Sequence, residues 1–136
     1  MTKKILIPVL LAALVVLATL TGCHLNSESK GREGILDVSY ETVTNKLLSF
    51  KPTPAAAGIP ALSGPWNLAG QSCEYEVDEG PQGDVSGTFT SVVVTRVDSK
   101  STSVQVKTTK LGPLLNTRDR QIEKQRWNEL SQLLAK

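Results

Sequence analysis

Residues 85–97 read VSGTFTSVVVTRV and residues 102–111 read TSVQVKTTKL, with Asp98-Ser99-Lys100-Ser101 between them. The first run is dense in β-branched residues, which suit a pleated surface. The second alternates, Val104 and Val106 on one side and Gln105 and Lys107 on the other, with the two-residue period of a half-buried strand. Turn-forming residues join them, so the unit reads as a β-hairpin. Gly87 is placed to allow a bulge or bend, with Phe89 as its anchor.

Upstream, Cys73, Tyr75 and Val77 alternate with Glu74, Glu76 and Asp78, which adds a third strand. Glu79-Gly80-Pro81-Gln82-Gly83-Asp84 is turn chemistry. Downstream, Gly112-Pro113 breaks the hairpin. Asn116 or Thr117 can then cap a helix running to about Ala135, with Ile122, Trp127, Leu130 and Leu134 as its inward stripe. The step from Ile122 to Trp127 is off-period, so the first turn of this helix is expected to face solvent.

Nearer the N-terminus, Ile35, Leu36 and Val38 read as a brief first strand. Ser39 is a good N-cap, and Val38 and Val43 sit at the positions of a hydrophobic staple. Tyr40, Val43, Leu47 and Phe50 then recur at helical spacing, which predicts a helix over 40–50 ended by Lys51-Pro52. From Pro52 to Gly70 the chain holds four prolines and three glycines in nineteen residues. This segment reads as a long loop without regular structure. Its Trp66 is expected to lie back over a thin core, with an exposed contact residue as the alternative.

The order is therefore (β)αβββα. It predicts an α+β two-layer sandwich with an antiparallel sheet of three to four strands and two helices on one face.

The first 22 residues are of another kind. Lys3 and Lys4 precede sixteen uncharged residues from Ile5 to Leu20, too short a run for a comfortable membrane span and placed like an export signal. Leu20-Thr21-Gly22-Cys23 resembles the lipobox of bacterial lipoproteins. The resemblance implies cleavage between Gly22 and Cys23, a diacylglycerol thioether on Cys23, and hence a signal peptide over 1–22. Two or three acyl chains would hold the protein firmly at a membrane. His24 stands where some lipoproteins carry an inner-membrane-retaining Asp, which favours an outer membrane facing the periplasm. The order of elements also resembles small bacterial envelope lipoproteins of unknown function. Ser39-Tyr40-Glu41-Thr42-Val43, the valine-rich 92–106 region and Leu111-Gly112 match their pattern, and the Pro/Ala insert at 52–70 departs from it.

Removing the signal changes the composition. Fifteen bases become thirteen, against thirteen acids, and the hydrophobic fraction falls from 40% to about a third. A small neutral domain over 35–136 with a modest core is expected. Residues 23–34, the lipidated cysteine and a polar aperiodic stretch, read as a flexible tether. Cys73 is left as the one thiol, expected as a small buried hydrophobe, with an intermolecular disulfide as the alternative.

The chemistry of catalysis is sparse. The single histidine, His24, lies beside the lipid site, so the domain cannot assemble a Ser-His-acid or Cys-His set. Zinc needs several His or Cys ligands, and neither a phosphate loop nor a dinucleotide turn is present. No metal and no cofactor is implied. Glu74 and Glu76 lie about 7 Å apart on one strand face, which most simply is a solvated face.

Charge is more informative. Residues 71–84 carry five acids and no base, whereas residues 96–126 carry eight bases and three acids. The plain reading is pairing between neighbouring strands. The sharper one is a partner surface built from Glu74, Glu76, Asp78, Arg118, Arg120, Lys124 and Trp66 that docks an envelope protein or a second copy. Rest of the basic helix on anionic lipid is a third reading. Neutral net charge and an export signal argue against nucleic acid. The expected function is a non-catalytic, lipid-anchored binding module or accessory subunit of an envelope complex. The alternative is a small periplasmic hydrolase or ligand carrier using the 52–70 loop and the acidic strand.

Overall fold

The computed structural model describes residues 26–54, 60–67, 70–79, 87–111 and 115–136. The segment expected as a signal peptide (1–22), Cys23, His24, the expected 80–84 turn residues and Gly112-Pro113 lie outside them. The hairpin that opened the sequence reading is β5 (Thr88–Arg96) and β6 (Thr102–Leu111), paired in continuous register from Thr88↔Lys110 to Arg96↔Thr102. Asp98 closes its turn, its carboxylate accepting from the amides of Lys100 and Ser101, both at 2.7 Å. β4 (Ser72–Asp78) pairs antiparallel with β5, and β3 (Ala61–Asn67) lies outside β4. On the far side of β6, β1 (Asn26–Glu28) and β2 (Arg32–Leu36) share one edge. Their registers on β6 differ by one residue, and the slack is taken up at Ser29–Gly31. Gly31 has φ +77°, and a Cβ there would stand 2.9 Å from the Val106 carbonyl oxygen.

Two helices complete the fold, α1 (Tyr40–Leu48) and α2 (Thr117–Leu134). Ser39 caps α1 through its hydroxyl, which accepts from the Thr42 amide. Asn116 and Asp119 form a reciprocal capping box at the start of α2, at 2.9 and 2.8 Å. Such pairing satisfies two amides that the first turn leaves unbonded.

Alternation along the strands decides which side the helices cover. Cys73, Val94 and Val104 form one cross-strand row, Tyr75, Val92 and Val106 the next, and Val77, Thr90 and Thr108 a third, all buried. Val43, Leu47 and Phe50 from the α1 region and Leu130 and Leu134 from α2 close over that face. Both helices therefore lie on one side of the sheet, as expected. The class, α+β with an antiparallel sheet, also holds.

Several finer expectations are corrected. The sheet has six strands rather than three to four, and the element order is ββαββββα. The tether expected over 23–34 is already strand from Asn26, because backbone pairing to β6 requires no apolar pattern. The 52–70 loop contains β3. It sits at the sheet edge, where a proline costs no ladder bond, and the register shifts between Ser63 and Trp66 around a cis Gly64–Pro65 bond. Gly64 is required there, since its φ is +111° and a Cβ would approach the Glu74 carbonyl oxygen to 2.7 Å. Helix α1 ends at Leu48 rather than 50. The first turn of α2 faces inward, with Asp119, Ile122 and Glu123 all buried.

Candidate functional site

The strands that bury one face leave the other open. On it, Trp66 of β3 stands opposite Glu74 of β4, Glu74 opposite Val93 of β5, and Val93 opposite Gln105 of β6, which in turn faces Glu33 of β2. One row along run Ser63, Glu76, Ser91 and Lys107, and beyond them Asp78, Phe89, Thr109 and Glu28. Five described acids thus point to the open face (Glu28, Glu33, Glu74, Glu76 and Asp78), against one described base, Lys107. Trp66 is 57% exposed, which corrects the expectation that it lies over the core. Its pairing opposite Glu74 puts it on the uncovered side.

The electrostatics of the row agree with its composition. Partial burial, then the Glu74 and Asp78 carboxylates beside it, raise the Glu76 carboxyl above its ordinary range. Burial alone moves a carboxyl in that direction, and the two like charges add to it. Glu33 is held by the Ser103 hydroxyl at 2.9 Å.

Sequence reasoning grouped these acids with Arg118, Arg120 and Lys124. The structure separates them. The three cations are exposed on α2, in the helix layer, whereas Trp66, Glu74, Glu76 and Asp78 lie on the far side of the sheet. The surface is therefore divided by layer, an acidic sheet face and a basic helix, and pairing between neighbouring strands does not account for it.

One base that the charge count treated as ordinary is instead fully buried. Arg126 donates through Nε and Nη2 to the two carboxylate oxygens of Glu79, both at 2.6 Å, and Thr90 donates to Glu79 at 2.9 Å. Arg126 Nη1 also donates to the Thr53 carbonyl at 2.7 Å and to Glu129 at 2.9 Å. Burial opposes the Arg126 charge, yet the Glu79 and Glu129 carboxylates hold its pKa above the ordinary value. The cluster ties α2, the end of β4 and the chain after α1 together. Its signal was in the sequence: Asp119, Ile122, Arg126, Leu130 and Leu134 keep a regular three-and-four spacing, and Arg126 fills the off-period gap.

Cys73 is buried, as the simpler reading expected. Burial and the neighbouring Cys73 thiol push the Tyr40 and Tyr75 hydroxyls up to about 12. An open depression of about 250 Å³ lies between the ends of the helices, lined by residues including Phe50, Lys51, Glu129 and Leu133. It is in the helix layer, on the opposite side of the sheet from Glu74 and Glu76. Among the described residues no three His, Cys, Asp or Glu side chains gather as a metal site, and no described helix is long and apolar enough to cross a membrane.

Comparison with known proteins finds no family whose sequence profile matches the chain, and no curated protein similar to it.

Proposed function

We propose that this protein is a lipid-anchored component of a bacterial cell envelope, held by Cys23 and acting without catalysis as a binding module or accessory subunit. The carrying observation is the open sheet face, five acids to one base among the described residues, with Trp66 exposed at its edge. A flat strand surface of one sign suits a macromolecular partner with a basic face, because complementary potential speeds encounter and fixes orientation. Tryptophan beside it supplies the kind of large apolar contact that dominates interface energies. The Leu20-Thr21-Gly22-Cys23 resemblance supports the anchor, and the outer membrane facing the periplasm is the proposed location.

Two experiments test the two halves. Changing Cys23 to Ser should leave an unprocessed precursor without lipid label, and normal processing of that variant would end the lipoprotein reading. A photocrosslinker at Thr95, exposed beside the acid rows, should capture one stoichiometric envelope protein with a basic surface. The same crosslinker at Gln132 on α2 should not; equal capture from both positions would end the sheet-face reading.

A further inference from the structure

The edge formed by β1 and β2 brings the start of the domain next to the basic flank of α2. Glu123 is the link. Its carboxylate receives the Ser29 hydroxyl and lies 3.8 Å from the Arg32 guanidinium. Residues three or four apart share a helix flank, so Arg120, three residues before Glu123, stands beside it, and Lys124, four residues after Arg120, continues that flank toward solvent. Both are exposed, and Lys30 is exposed on the strand side. Further toward the end of β6, Lys110 reaches Asp119 at 3.4 Å and Arg118 is exposed. The two acids within this group, Asp119 and Glu123, are buried and engaged. Among the described residues no carboxylate pairs with Lys30, Arg118, Arg120 or Lys124. The exposed acid here is Glu28, which points to the open sheet face.

The chain enters at this same corner. Asn26 pairs with Leu111, at the end of β6 that leads into α2. Only His24 and Leu25 separate Asn26 from Cys23, three Cα steps with a reach of at most roughly 11 Å even when extended. An anchor at Cys23 would hold this corner against the headgroups, where an eleven-residue tether would have let the domain stand away.

We infer that the corner formed by Lys30, Arg118, Arg120 and Lys124 docks on an anionic phospholipid surface, fixing the domain's orientation so that the acidic sheet face stays free for its partner. The inference rests on the lipoprotein reading for its geometry and on the cation cluster for its chemistry. Cations at a negatively charged bilayer surface are attracted within a Debye length, about 10 Å at 0.1 M salt. Each contributes roughly fivefold to the ratio of docked to undocked domain. Opposite charge signs on opposite layers thereby divide the work: the basic one faces lipid, the acidic one faces protein.

The test uses the full chain reconstituted in vesicles of phosphatidylethanolamine with phosphatidylglycerol, or of phosphatidylcholine alone. A nitroxide is placed at Gln121→Cys on α2, or at Ser99→Cys in the β5–β6 turn at the opposite end of the sheet, and headgroups carrying chelated nickel report proximity. The Gln121 label should be strongly relaxed on anionic vesicles and the Ser99 label should not. Arg120→Glu with Lys124→Glu should lower the docked ratio by at least roughly twentyfold, and 1 M salt should have a similar effect. Equal relaxation at both positions, or relaxation indifferent to lipid charge and to the reversal, would overturn the inference. The mass of the Cys23 peptide separates the two ideas. Charge-dependent relaxation without lipid on Cys23 would uphold the docking surface and remove the anchor, whereas lipid on Cys23 with charge-independent relaxation would do the reverse.

Discussion

The two faces of strands β4 to β6 use alternate residues of the same chain for opposite purposes. The inner face sets valines, Tyr75 and three threonines against the helices, and in one corner it closes around the Arg126–Glu79 pair. The outer face carries Glu74, Glu76, Asp78 and Lys107, with Val93, Phe89 and, at the end of β6, Leu111 as its apolar members. Every inner residue named here is buried, and every outer one is at least partly exposed. Stability should therefore respond to substitutions on the first face and recognition to substitutions on the second. Because a strand alternates sides at each residue, two adjacent positions can serve the two roles independently.

The largest effect should come from the charged corner of the inner face. Arg126→Ala leaves the Glu79 carboxylate, 1% exposed, without its partner, and urea unfolding should show a loss of about 3–5 kcal/mol. The paired replacement Arg126→Met with Glu79→Gln removes both charges and should cost far less. If the pair costs as much as the single change, the corner acts through shape rather than charge. Next in size, Leu130→Ala opens a cavity against the sheet and should cost about 3 kcal/mol in the same assay.

These two sites also show what was legible in the chain. Leu130 was read correctly because an apolar residue at helical spacing announces a buried face. Arg126 was passed over because hydrophobic periodicity is blind to a charge that is buried through pairing, and its partner Glu79 sits 47 residues away, at the end of a strand where it resembled a turn residue. Edge strands were hidden for a different reason. β1 and β3 are held by backbone hydrogen bonds on one side only, so Asn26–Glu28 and the Gly64–Pro65 stretch carry no alternation to read. The central hairpin, both helix caps and the single-sided helix layer were all visible, since local chemistry specifies each. For the candidate site, Glu74, Glu76, Asp78 and Trp66 were named from sequence, whereas Glu28 and Glu33 were not, because their stretch read as a tether. That Arg118, Arg120 and Lys124 lie on the other layer was not, because layer assignment is a property of the packed fold.

The outer face makes a smaller prediction with the opposite sign. The Glu76 carboxyl is raised in the folded protein, first by partial burial and then by its acidic neighbours. The folded state thus holds this proton more tightly than the unfolded chain, and stability falls as pH rises from about 4.5 through the raised value. Glu76→Gln should accordingly raise the thermal midpoint slightly at pH 7, and the advantage should vanish at acid pH. A lower midpoint at pH 7 would mean that Glu76 has a stabilising partner on the open face.

The division of labour between the faces is tested most directly by crosslinking from Thr95 in the double variant Glu74→Lys with Glu76→Lys, alongside its thermal midpoint. The account predicts a midpoint within a few degrees of the parent and a loss of partner capture. Retained capture, or a midpoint lowered as far as in Leu130→Ala, would contradict it.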